Sequence, residues 1–156
     1  MVAIRKSWCI VALSALFACS TGTPYAQVAA QLPTLPPGYG RIMVYMTTNT
    51  EAPTFHPDIA IDGREIGKIE TGTFFHVEMP AGVHQVGVKT DEHLAGFGNQ
   101  GATQPVEIEV ASGTTSYVQV GVLVTIGMVK VVLSPETAAD AQRDLSNLYQ
   151  VAPVPQ

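Results

Sequence analysis

Apolar and polar side chains alternate along most of the chain between residues 40 and 133. A period of two predicts strands that are buried on one face, and turn-forming residues separate these runs at a spacing of about 8–12 positions. The pattern therefore predicts a mainly β fold, an antiparallel β-sandwich built from about seven or eight short strands. The predicted strands cover 41–46, 58–61, 64–69, 73–79, 83–90, 106–110 and 116–133.

Short turn motifs connect several of these strands. Asp62-Gly63 lies between two alternating runs and predicts a tight β-hairpin. Pro80-Ala81-Gly82 predicts a second turn, and 91–104 a long glycine-containing loop. Within the last strand run, Gly121 and Gly127 indicate a bulge or a break.

One helical segment follows the strands, over 134–149. Ser134 is suited to cap it, Pro135 to occupy the first helical position, and Glu136 to interact with the helix dipole. Its apolar face is narrow and partly alanine, and the proline-containing residues 150–156 are expected to be a disordered tail. The face consists of Ala138, Ala141, Leu145 and Leu148.

The N-terminus has the layout of a bacterial export signal. Arg5-Lys6 precedes an apolar run of 11 residues, Trp8–Ala18. That run is within the range of a signal-peptide core and shorter than the roughly 20 residues of a membrane-spanning helix. We therefore assign residues 1–18 to a signal peptide and 19–39, rich in Ser, Thr, Gln and Pro, to a flexible tether.

Two cleavage sites compete. Leu16-Phe17-Ala18-Cys19 resembles the lipobox of bacterial lipoproteins, with Phe17 departing from the small or β-branched residue usual there, and it makes Cys19 the lipid attachment site. Ser20 resembles the residue that directs Gram-negative lipoproteins to the outer membrane. Ordinary signal cleavage after Ala30 is the alternative and would give a soluble periplasmic or secreted protein.

Charge and cysteine content limit the function classes. Removing Arg5 and Lys6 with the signal leaves 6 basic and 13 acidic side chains, a net charge of −7 with His neutral. A surface of this sign disfavours electrostatic binding of nucleic acid or of anionic lipid headgroups. The two cysteines, Cys9 and Cys19, are either removed or acylated, so we expect no disulfide, thiol nucleophile or thiolate metal site in the folded domain.

Three segments resemble a known family. They are Arg41–Tyr45, the hairpin Ile61–Gly67 and the turn Pro80–His84, and they are similar to the bacterial lipoprotein family called domain of unknown function 2846. The hairpin and turn also resemble those of PEGA-type surface domains. The resemblance covers roughly residues 40–133, with Phe74-Phe75 where the family has tyrosine. It implies an immunoglobulin-like or PEGA-like β-sandwich at the cell envelope and no activity.

The long loop contains Gly96–Gly101, which matches the dinucleotide pattern G-x-G-x-x-G. That motif needs a preceding strand and a following helix whose N-terminus holds the pyrophosphate, and here a strand follows. We therefore predict no cofactor. Long loops often carry binding function, so this one is a candidate partner-contact loop through Phe97, Asn99 and Gln100.

Histidines and carboxylates provide no catalytic constellation. His76 alternates with core residues and should point outward, whereas His84 shares the phase of Val86 and should point inward, held by a backbone carbonyl. Glu107 and Glu109 lie two apart on the solvated face of one strand, unlike a catalytic acid–base pair. His56 and His93 complete the four histidines, and we predict no metal site and no enzyme activity.

The sequence thus favours a non-catalytic cell-envelope lipoprotein that is anchored through Cys19 and binds a protein or cell-wall partner. The alternative is a soluble periplasmic or secreted β-sandwich that binds a small ligand. Its pocket would lie between the sheets and be lined by Tyr45, Phe74 or Phe75.

Overall fold

The computed structural model describes residues 22–51, 54, 56–89, 104–126 and 128–153. Ten strands and two helices form in this part of the chain. They are β1 (Thr23–Pro24), α1 (Tyr25–Gln31), β2 (Tyr39–Met46), β3 (Asp58–Ile61), β4 (Arg64–Lys68), β5 (Thr73–Pro80), β6 (Gly82–Lys89), β7 (Val106–Val110), β8 (Thr115–Thr125), β9 (Met128–Glu136), α2 (Ala138–Leu145) and β10 (Tyr149–Gln150).

The strands form a six-stranded sheet in the order β1-β10-β5-β2-β8-β9 and a four-stranded sheet in the order β4-β3-β6-β7. The predicted β-sandwich with a short C-terminal helix is confirmed. Its pairing is not antiparallel throughout, because β2 pairs parallel with β8 and β5 pairs parallel with β10. The chain leaves the larger sheet after β2 to form β3 and β4, leaves it again after β5 to form β6 and β7, and returns at β8, which makes the parallel pairing of β2 with β8 possible.

The core between the sheets follows from the register of β2 against β5. Ile42 lies opposite Val77, and Val44 lies opposite Phe75, so these four side chains share one face. They pack against inward-facing residues of the smaller sheet, including Ile61 and its neighbours on β6 and β7. Other members of this core are Met46, Ile59, Ile66, Ile69, Val86, Ile108, Val110, Val118, Val120, Val122 and Val131.

The outer face of the six-stranded sheet is also apolar, and the two helices cover it. We call this second cluster the helix-covered face. Met43, Tyr45 and Phe74 point outward from β2 and β5 and are buried. Val28 of α1 and Leu145 of α2 pack onto them. The remaining members are Tyr117, Ala141 and Leu148, with Tyr25 and Leu32 partly buried beside them.

The predicted tether over 19–39 is therefore wrong for its described part. Residues 22–32 add a short strand and a helix to the domain, and the Tyr25 amide donates a hydrogen bond of 3.0 Å to the Leu148 carbonyl. The physical reason is that the outer face of β2 and β5 is apolar and has to be shielded from water, and residues 40–133 do not supply a cover for it.

The hairpin turn between β3 and β4 is confirmed at Asp62-Gly63. Both residues have left-handed backbones, with φ of 53° at Asp62 and 78° at Gly63. This combination matches the twist of the two strands, and Asp and Gly tolerate it better than other residues.

The C-terminal boundaries differ from the prediction. Ser134, Pro135 and Glu136 belong to β9, and the helix begins at Ala138 with the Thr137 hydroxyl accepting a hydrogen bond from the Asp140 amide. Proline is tolerated there because β9 is an edge strand of its sheet and needs fewer backbone donors.

The predicted disordered tail, 150–156, is wrong at its start. Gln150 is paired in β10, and the Val151 amide donates to the Phe74 carbonyl at 2.9 Å. Residues 154–156 lie outside the described part.

We predict that Val28→Asp destabilises the domain, because it places a carboxylate in the helix-covered face. Chemical denaturation should show a loss of at least about 2 kcal/mol in the free energy of unfolding. Ala29→Asp is the matched control, since it adds the same charge to an exposed neighbour and should cost less than about 1 kcal/mol. Equal effects of the two variants would mean that α1 is not packed on the sheet.

Candidate functional site

The three aromatic residues considered for a ligand pocket are all buried in packed surroundings. Tyr45 and Phe74 lie in the helix-covered face, whereas Phe75 lies between the sheets. The Tyr25 ring packs edge-on against Phe74, with ring centroids 5.4 Å apart and planes at 81°. Of the three residues proposed to line a pocket between the sheets, Tyr45 and Phe74 therefore face away from that space, and Phe75 is fully buried in the packed core there.

Tyr45 reaches the edge of the helix-covered face with its hydroxyl. The hydroxyl donates to the Asp144 carboxylate at 3.5 Å, and the Gln119 side-chain amide donates to the same oxygen at 3.4 Å. Burial raises the pKa of Tyr45 far above its usual value, and the Asp144 charge raises it further. The phenol therefore stays protonated and serves to orient Asp144 rather than to act as a base.

Arg41 is the charged residue buried on the same side of the sheet. Its guanidinium donates to Glu78 at 2.9 Å and to the Pro33 carbonyl, also at 2.9 Å. The Pro33 contact fixes the chain that follows α1. Breaking a buried ion pair leaves a charge without its partner and is costly, so Arg41 has a structural role.

His76 and His84 belong to different sheets, because Pro80-Ala81-Gly82 carries the chain from β5 in one to β6 in the other. His76 points away from the inter-sheet core as predicted, and its Nδ1 lies 3.4 Å from the side-chain amide nitrogen Nε2 of Gln150. Burial lowers the pKa of His76, and the nearby Arg41 charge lowers it further. The two histidines thus face separate environments.

His84 points inward, and a backbone carbonyl binds it as predicted. Its Nε2 lies 2.8 Å from the Pro80 carbonyl oxygen, and its Nδ1 lies 2.7 Å from an Asp62 carboxylate oxygen. The other Asp62 oxygen accepts from the Gln85 amide at 2.9 Å. Because both ring nitrogens face acceptors, this geometry favours the imidazolium form. The Asp62 hydrogen bond accordingly raises the pKa of His84.

Shallow grooves are present on the described surface. One of about 420 Å³ lies beside the start of the fold, lined by Gly22, Thr48, Gly72, Asn147 and Gln150 among others. Another, of about 280 Å³, is acidic. Glu107 and Glu109 line it as the exposed carboxylates that the strand alternation predicts, and Glu136 joins them.

Within the described residues, no group of three or more His, Cys, Asp or Glu side chains could hold a metal ion. No helix in that part of the chain is long and apolar enough to cross a membrane.

Three exposed large apolar residues lie close together at the end of the β8–β9 hairpin. Leu123 is 50% exposed, Val124 is 44% exposed and Ile126 is fully exposed. We call these three residues the hairpin tip. The β8 strand extends past the end of β2, its neighbour in the sheet, because Gln119 already lies opposite Tyr45. The amide of Val124, which has lost that neighbour, donates instead to the Glu51 carboxylate at 2.8 Å.

Several residues singled out in the sequence lie outside the described part. They are the lipid attachment residue Cys19, the contact-loop residues Phe97, Asn99 and Gln100, and His93. Their roles stay predictions. The first described residue, Gly22, follows Cys19 by three positions and leads directly into β1.

No family model matches the chain, and no curated protein matches it. Among solved structures, the N-terminal domain of AlgF from P. aeruginosa is similar, with a TM-score of 0.37 and 14% sequence identity over 65% of this chain and 98% of that one. A likeness of this size supports no statement about what the chain does.

Two features of the surface were not predicted from the sequence. The packing of α1 could have been found from Tyr25, Val28 and Leu32, whose spacing of three and four residues is that of a helix face. The break predicted near Gly127 is confirmed, because β8 ends at Thr125 and β9 begins at Met128. The exposure of the apolar residues at this reversal is what the sequence did not predict.

We predict that the His84–Asp62 pair makes stability depend on pH. The folded state raises the pKa of His84 above 6.5 and lowers that of Asp62 below 3.8. The histidine contribution is therefore complete below about pH 6.5 and is lost as the pH rises through the raised value. His84→Gln should cost on the order of 1 kcal/mol of unfolding free energy at about pH 5.5 and less at about pH 9.

Asp62→Asn is the matched control, because Asn tolerates the left-handed turn and removes only the charge. It should abolish the extra stability near pH 5.5. Equal losses in His84→Gln at both pH values would show that the ion pair does not contribute.

Proposed function

We propose that this protein is a non-catalytic cell-envelope lipoprotein, anchored through Cys19 at the periplasmic face of the outer membrane, where it binds a protein or cell-wall partner. The observation that carries the proposal is the position at which the fold begins. Residues 23–31 form β1 and α1, so the folded domain starts only a few residues after Cys19.

This position bears on the choice between the two cleavage sites. Cleavage after Ala30 would cut α1 one residue before its end and remove β1. The mature chain would lose the ring contact of Tyr25 with Phe74 and the burial of Val28. Two outward-facing aromatic residues of the sheet, Tyr45 and Phe74, would lose part of their cover. Cleavage before Cys19 keeps the whole fold, which supports the lipoprotein alternative.

The anchor that results is short. Ser20 and Thr21 separate Cys19 from Gly22, so the acylated residue lies within about 10 Å of the folded domain. Each buried methylene of an acyl chain contributes about 0.8 kcal/mol, and two or more chains hold a protein stably at a bilayer. The domain would therefore sit directly on the membrane surface rather than at the end of a long tether.

The chemistry of the described residues agrees with a binding role. The titratable groups nearest the core are engaged with one another: Arg41 with Glu78, His84 with Asp62, and Tyr45 with Asp144. None of these pairs places a nucleophile beside a base in an open cleft. The soluble ligand-binding alternative loses support, because the aromatic residues that would line its pocket are fully buried in packed surroundings.

The test is the intact mass and membrane fractionation of the full chain expressed in a Gram-negative host, beside Cys19→Ala. We expect a mass that begins at Cys19 and includes acyl chains, with the protein in the membrane fraction. The Cys19→Ala variant should lack the acyl mass. If this variant stays in the membrane fraction, its intact mass shows whether the signal peptide is still attached and holds it there.

Ala30→Leu is a second control, since it blocks cleavage after residue 30 while leaving the Cys19 motif intact. It should not alter processing. A soluble wild-type protein that begins at Gln31 would refute the proposal.

A further inference from the structure

We propose that the hairpin tip, Leu123, Val124 and Ile126, is a second membrane contact that inserts shallowly into the bilayer to which Cys19 is anchored. This inference rests on the proposed function, because the lipid anchor is what brings a bilayer within reach. The two are separable by experiment.

The composition of the hairpin tip suits a lipid environment. The segment 121–129 contains no charged residue, and the first charge after it is the exposed Lys130. Leu123 and Val124 point to opposite faces of β8, so the end of the hairpin is apolar on both sides. An apolar wedge exposed on both faces and at its turn is suited to insertion into acyl chains. A protein partner would more often meet one face that carries Trp, Tyr or Arg.

The register of the sheet gives the separation between the hairpin tip and Gly22, the first described residue after Cys19. Thr23 lies level with Gln150 and Phe74, and Phe74 with Tyr45, whose partner in β8 is Gln119. Thr125, the end of β8, therefore lies about seven residues, or about 23 Å, beyond Gly22 along the strands. Four strand spacings, about 19 Å, separate them across the sheet.

These distances allow simultaneous contact. Strands that lean by about 50° from the membrane normal bring Gly22 and Thr125 to one plane, and Cys19 lies within about 10 Å of Gly22. Lipid anchoring at one edge of the sheet then leaves the hairpin tip facing the same surface. A single-point anchor would let the domain rotate, whereas two contacts fix its orientation.

Two charged neighbours limit the depth of insertion. Glu51, which accepts the Val124 amide hydrogen bond, must stay in water or at the headgroups. Lys130 can extend its ammonium to the headgroup level while its stem covers apolar surface. The contact is therefore confined to the last few residues of the hairpin and does not span the bilayer.

The test uses single tryptophans in the full chain as it is processed by the host. Trp8 is the one native tryptophan and leaves with the signal, and Trp8→Phe in every variant removes any background from unprocessed protein. Ile126→Trp reports on the hairpin tip. Val83→Trp is the matched control, since Val83 is 65% exposed on β6 of the other sheet. Purified proteins are reconstituted into phosphatidylethanolamine–phosphatidylglycerol vesicles with and without brominated acyl chains.

We expect Ile126→Trp to emit at shorter wavelength in vesicles than in detergent-free buffer and to be quenched by the brominated lipid. Val83→Trp should show neither change. An acylated protein whose Ile126→Trp signal matches that of Val83→Trp would overturn the inference and leave the proposed function standing. A blue shift without bromine quenching would indicate a protein contact and would also overturn it.

The mass of the same samples separates the two proposals. A protein without acyl chains refutes the proposed function whatever its fluorescence. If brominated vesicles added to that unacylated protein quench the emission of its Ile126→Trp variant, the hairpin tip is supported as a membrane contact in its own right. If they do not quench it, the inference about the hairpin tip is overturned as well.

Discussion

The fold depends on burying strand β2 on both of its faces. Every residue from Gly40 to Met46 is buried, so packing of the smaller sheet against one face of β2 does not account for the burial of the other face. Ile42 and Val44 are covered by the smaller sheet, while Met43 and Tyr45 need a cover on the opposite side. Helices α1 and α2 provide it, and removing apolar area of this kind from water is the main driving force for their docking.

That second cover is made by both ends of the chain. The Tyr25 amide binds the Leu148 carbonyl, and β1 pairs with β10, so the N-terminal segment and the C-terminal helix close the same face together. A protein with this arrangement cannot use residues 22–32 as a loose spacer. If Cys19 carries the proposed lipid anchor, this packing holds the sandwich close to the bilayer, and the exposed end of the β8–β9 hairpin then has a membrane surface within reach.

Local signals in the sequence predicted the elements that local chemistry determines. The Asp62-Gly63 turn and the strands Asp58–Ile61 and Val106–Val110 were predicted at their observed bounds. The errors concern tertiary context. Pro135 has the local features of a helix start, yet it lies in an edge strand. Tyr45 and Phe74 were candidates for a pocket between the sheets, yet they point to the opposite face. The side-by-side apolar residues of β2 were the available sign of a strand covered twice.

The most direct test of this account compares two chains made without acylation, one beginning at Ser20 and one at Gln31, by urea unfolding. The chain from Ser20 retains β1 and α1, whereas the chain from Gln31 retains neither as a unit. The account predicts that the shorter chain is less stable by about 3 kcal/mol or more, or fails to fold, because Tyr25 and Val28 no longer cover the sheet. Equal stability of the two chains would contradict it.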